Sequence, residues 1–114
     1  MKTGNLYRQI PENLPEELVE ILAEGNGQIK IERIVSRNHS TPDDTWYDQE
    51  SCEWVVLLTG WAILRFEEPD RTVKMVPGDW LKISAHVKHR VEETSSGDTV
   101  WLAVHWTDCT EHEH

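Results

Sequence analysis

Between Trp46 and Gly60 the chain sets Asp48, Gln49, Cys52 and Glu53 just ahead of an apolar run, Val55 to Leu58. An acid, an amide, a thiol and a second acid at the mouth of a strand are suited to a binding site, because a sheet holds such groups rigidly. Alternation sorts them. Glu53, Val55 and Leu57 share one face of an extended strand, and Trp54, Val56 and Leu58 share the other. Gln49 falls on the Glu53 side, and Asp48 falls opposite unless a bulge re-aims it. A carboxylate on an interior face is costly without a cation, a donor or a metal. Glu53 therefore calls for a partner.

Two other stretches offer one. Gly78-Asp79 is followed by a strand, then by Ser84, His86 and His89, eleven residues after the glycine. Trp101, Ala103 and His105 share a face in the last strand, which lets His105 look inward. His86 lies in a turn three residues before His89 and is expected to face solvent.

The elements that must position these groups are mostly strands. Residues 1–12 have no clear period and are read as an arm, with a short strand near Leu6 to Ile10. Residues 13–26 are read as a flanking helix. Asn13 caps it, Pro15 suits its first turn, and Glu16 and Glu17 sit at the positive end of the dipole. Leu14, Leu18, Ile21 and Leu22 follow a helical stripe, and Gly25-Asn26-Gly27 ends it. From Gln28 the period is two. Strands are expected at 29–35, 46–49, 53–58, 61–66, 72–75, 80–83, 89–93 and 99–106, with turns at Pro69-Asp70, Pro77-Gly78 and Ser95 to Asp98. Short strands with turns every eight to twelve residues indicate an all-β sandwich or barrel over 27–106. Residues 107–114 are read as a loose polar tail.

The 114 residues make one domain, and the formal charge of −10 disfavours nucleic acid and anionic membranes as partners. The first ten residues lack a signal-peptide core and no apolar run reaches a membrane-spanning length, so a cytoplasmic location is expected. Cys52 and Cys109, without CxxC spacing, are expected as free thiols.

With these residues in view, the chain resembles the cupin superfamily of double-stranded β-helix jelly rolls. The superfamily's first motif reads G-x5-H-x-H-x3–4-E-x6-G, and it falls on Thr41, Tyr47, Gln49, Glu53 and Gly60. The second reads G-x5-P-x-G-x2-H-x3-N, and it falls on Gly78, Ser84, His86, His89 and Glu93. The acid, its glycine, the second-motif glycine and its histidine match. Both first-motif histidines are replaced, by Tyr47 and Gln49, and the second-motif proline, inner glycine and asparagine are replaced too. Leu14–Glu17, Trp46–Gln49, Ala85–His89 and Trp101–His105 are similar to segments of a group of short bacterial cupins.

The resemblance implies a divalent transition metal, Fe, Mn, Ni or Zn, held by Glu53, His89 and Gln49, with Asp48 and His105 as lesser ligand candidates. It also implies a small-molecule ligand in the barrel, proton transfer by His105 or Tyr47 if there is catalysis, and pairing into a homodimer. The loss of two histidines keeps a rival open, a metal-free binding or sensing module without catalysis.

Overall fold

The computed structural model describes residues 1–26 and 28–107. Eight strands run β1 Leu18–Gly25, β2 Ile29–Arg37, β3 Cys52–Thr59, β4 Ala62–Phe66, β5 Arg71–Met75, β6 Trp80–Ile83, β7 His89–Thr94 and β8 Asp98–Trp106. Two antiparallel sheets form, one ordered β1-β2-β8-β3-β6 and one ordered β5-β4-β7. Val55, Leu57, Ala62, Leu64, Met75, Ile83, Trp101 and Ala103 fill the space between them. Leu57 is fully buried, a position where truncation to alanine typically costs about 2–5 kcal/mol.

The expected helix over 13–26 does not form, and no helix occurs among the described residues. Leu18–Gly25 is instead an edge strand, paired with β2 from Leu18↔Val35 to Gly25↔Ile29. Gln28 N donates to Gly25 O at 2.9 Å, and Asn26 takes a φ of 45°. Asn-Gly between two apolar runs favours a tight hairpin turn, and here that preference outweighs its use as a helix stop. A register shift between Ile21 and Ala23 places one extra residue in β1. Such a bulge breaks strict alternation and lets the segment imitate a helical stripe.

The arm lies across the outer face of β2. Buried Arg33 donates to the backbone oxygens of Leu6 and Arg8 at 3.3 and 2.7 Å and to Glu20 Oε1 from Nε at 2.6 Å. Arg37 donates to Glu12 O at 2.8 Å and to Asp98 Oδ1 at 2.7 Å. Two arginines thus satisfy carbonyls of a segment that has no ladder of its own.

Gly60, at the end of β3, takes a φ of 82°, and a Cβ there would lie 2.6 Å from Ser95 Oγ and 3.0 Å from Thr99 Cα. The first-motif glycine is required on both counts. Cys52 is disulfide-bonded and fully buried, which corrects the free-thiol expectation for it. Spacing alone did not reveal this, since disulfide geometry depends on where the fold carries the two sulfurs. Cys109 and the tail from 108 lie outside the described residues.

Candidate functional site

The two motif segments meet through the backbone. Tyr47 N donates to His89 O at 2.7 Å, and His89 N donates to Tyr47 O at 3.1 Å. His86 N donates to Gln49 O at 2.7 Å. These bonds seat the 47–49 segment against the start of β7 and bring Gln49 and Glu53 beside His89.

The inward faces of β2, β3 and β8 line a cavity of about 170 Å³ together with parts of β1, β4, β6 and β7. Its polar lining is Glu17, Glu32, Tyr47, Gln49, Glu53, His89 and His105. Val55, Leu64, Ile83 and Trp101 lie deeper, among the core. Of the six tryptophans, Trp101 is the one in this lining.

Glu53 and His89 are 8% and 5% exposed, with Glu53 Oε1 and His89 Nε2 3.9 Å apart. His89 Nδ1 is 2.9 Å from Val87 O. A carbonyl only accepts, so Nδ1 carries the proton, and in the neutral ring the Nε2 lone pair faces Glu53. Gln49 Nε2 donates to the same Glu53 oxygen at 3.3 Å. The Tyr47 and Phe66 rings flank His89 with centroids 5.7 and 6.1 Å away.

A second pair stands next to the first. His105 is the cross-strand partner of Glu53, and its Nε2 lies 2.8 Å from Glu32 Oε1. The approach is off-line, so the contact is close without being a well-formed hydrogen bond. Asp48 is not part of the lining. It lies with His86 on the exposed side, Oδ1 to Nδ1 2.8 Å. His86 itself has a φ of 63°, which accounts for a glycine at this place in the second motif.

Glu32 and Glu17 were absent from the sequence candidates. Ile29, Ile31 and Val35 make the opposite face of β2 the more apolar one, so nothing in the alternation singles out the Glu32 face. The arm meets the more apolar face at Arg33 and Arg37 and leaves Ile29 exposed, while Glu32 and Ile34 turn inward. The helix assignment hid Glu17, whose Oε2 accepts a bond from buried Ser36 Oγ at 2.6 Å.

The donors suit a divalent ion as half a site. His89 supplies a lone pair oriented by a backbone carbonyl, as metal-bound histidines usually are, and Glu53 supplies a buried carboxylate. Gln49 adds an amide. Among the described residues, no three of histidine, cysteine, aspartate and glutamate converge as a metal set.

Among solved structures, the chain is similar to a proposed mannose-6-phosphate isomerase of Ralstonia eutropha JMP134. Identity is 42% over 94% of this chain and 99% of that one, with a TM-score of 0.88. A cupin superfamily protein of Desulfitobacterium hafniense DCB-2 matches at 21% identity and TM-score 0.70, over 87% of this chain and 84% of that one. An RmlC-like cupin with a double-stranded β-helix fold from Methanocaldococcus jannaschii matches at 17% and 0.67, over 87% of each chain. No protein-family model and no curated protein matches the chain.

Proposed function

The chain belongs to the cupin superfamily, and from that premise we propose that it binds a divalent transition metal and a small organic molecule in the cavity beside β3. The observation that carries the reading is the juxtaposition of Glu53 Oε1 and His89 Nε2, 3.9 Å apart on two buried side chains. Glu53, His89 and Gln49 would hold the metal, which would supply Lewis-acid polarisation of an oxygen on the bound molecule. The chain's own part is to desolvate and orient. Tyr47 and Phe66 fix the His89 ring, while Val55, Leu64, Ile83 and Trp101 shape an apolar wall. If the molecule is transformed, His105, beside Glu32, or Tyr47 would move the proton.

The phosphorylated hexose named for the Ralstonia relative suits this cavity poorly. Its lining holds Glu17, Glu32 and Glu53 and no lysine or arginine, whereas phosphate sites are built from basic side chains and free N–H groups. We therefore do not carry that substrate over. Homodimerisation belongs to the same reading, with Val19, Ile21 and Ile29 leaving apolar surface exposed on the β1–β2 hairpin. Cytoplasmic residence belongs to it too, with the disulfide at Cys52 standing against it.

The test is metal content of untagged protein. Wild type is expected to carry iron, manganese, nickel or zinc near one per chain, and the Glu53→Gln, His89→Ala double variant to carry almost none. Equal, negligible content in both overturns the proposal.

A metal-free binding module is the second reading, favoured by Gln49, whose amide already serves the Glu53 oxygen. Ligand stabilisation in a thermal-shift assay that is indifferent to chelator supports it over the first.

A further inference from the structure

Three carboxylates, Glu17, Glu32 and Glu53, enter one cavity whose lining contains no lysine or arginine. The basic group in contact with any of them is Lys30, Nζ 3.5 Å from Glu32 Oε2, and Lys30 is not in the lining. Glu32 and Glu53 are 7% and 8% exposed, so bulk water screens them weakly. Each histidine contact is taken up by one carboxylate, His89 by Glu53 and His105 by Glu32.

Trp101 is 4% exposed and adds an aromatic wall to the same cavity. The remaining wall is aliphatic, from Val19, Ile34, Val55, Leu64, Ile83 and Val91. The volume, about 170 Å³, is close to the roughly 150 Å³ of an apolar cavity that takes up benzene.

We propose that the cavity selects a compact organic cation, an ammonium or amidinium group on an apolar body of about benzene size, and rejects phosphorylated or carboxylated molecules. The inference rests on the cavity being a small-molecule site, as proposed above, and is independent of whether a metal is present. The cationic head faces the Glu32 carboxylate, clear of Glu53, and the apolar body lies against Trp101 and the aliphatic wall.

A size-matched probe set tests this by isothermal titration calorimetry: benzylammonium, benzyl alcohol and benzoate, each with and without chelator. Benzylammonium is expected to bind about tenfold or more tightly than benzyl alcohol, and benzoate to show no binding. The order should persist in chelator, and Glu32→Gln should narrow the gap between the first two probes. Benzoate binding as tightly as benzylammonium, equal affinities for all three, or no binding of any overturns the proposal. A cation preference in protein that carries no metal would defeat the metal reading alone, so the two failures are distinct.

Discussion

Glu53 and His89 owe their usefulness to opposite requirements. The carboxylate is buried with one amide donor, and the imidazole is buried with Nδ1 on a backbone carbonyl and Nε2 turned toward that carboxylate. Neither arrangement is comfortable without a further positive group, which is why the pair reads as a place for a cation. Gly60 carries a different demand. With a positive φ and Ser95 and Thr99 against its Cα, a methyl group meets both strain and collision. Gly60→Ala is expected to lose about 2–4 kcal/mol, seen as a melting temperature lowered by roughly 5 °C per kcal/mol. An unchanged melting temperature contradicts the packing described for β3 and β8. Asp70, at the exposed β4–β5 turn, is held below the usual aspartate range, first by its hydrogen bond from Arg65 and then by that guanidinium's charge. A group lowered in the folded state adds stability above its unfolded pKa and loses it as pH falls through the folded value. An NMR titration should find Asp70 below ordinary aspartate in wild type and back in the ordinary range in Arg65→Gln.

Among the elements, the arm and the β1–β2 hairpin differ most from what the sequence implies. Arg33 ties residues 6–8 and Glu20 to the outer face of the five-stranded sheet. Arg33→Ala should therefore free the arm, making the 1–12 segment sensitive to limited proteolysis at a stability loss of about 2 kcal/mol. Persistent protection would show that the arm is held by something else. The strands from β2 to β8 were legible because period-two runs alternate with turn dipeptides, Glu53 and His105 were legible by parity within those runs, and His89 by its spacing from Gly78. The β1 segment was not, since its bulge and its three leucine and isoleucine positions, with Leu14 ahead of them, match a helical stripe as well as a strand. Glu32 escaped for a related reason. A face of β2 met by an arm looks, in sequence, like a face covered by a core.

As a whole molecule, the chain is two unequal sheets with one end of their interface left open and acidic. The five-stranded sheet ends on β1 as an edge strand, and Val19 and Ile21 of β1 are half exposed. Light scattering is expected to give a dimer, in keeping with the proposed pairing of identical chains, and a monomer at high concentration removes that part of the proposal. The open cavity is where the fold, the two His–Glu pairs and the charge deficit converge. Its central claim, a cation held by Glu53 and His89, is met most directly by anomalous scattering from a crystal of untagged protein above and below a metal absorption edge. The account predicts a single strong peak between the Glu53 carboxylate and His89 Nε2, while no peak there after a soak in zinc or manganese would contradict it.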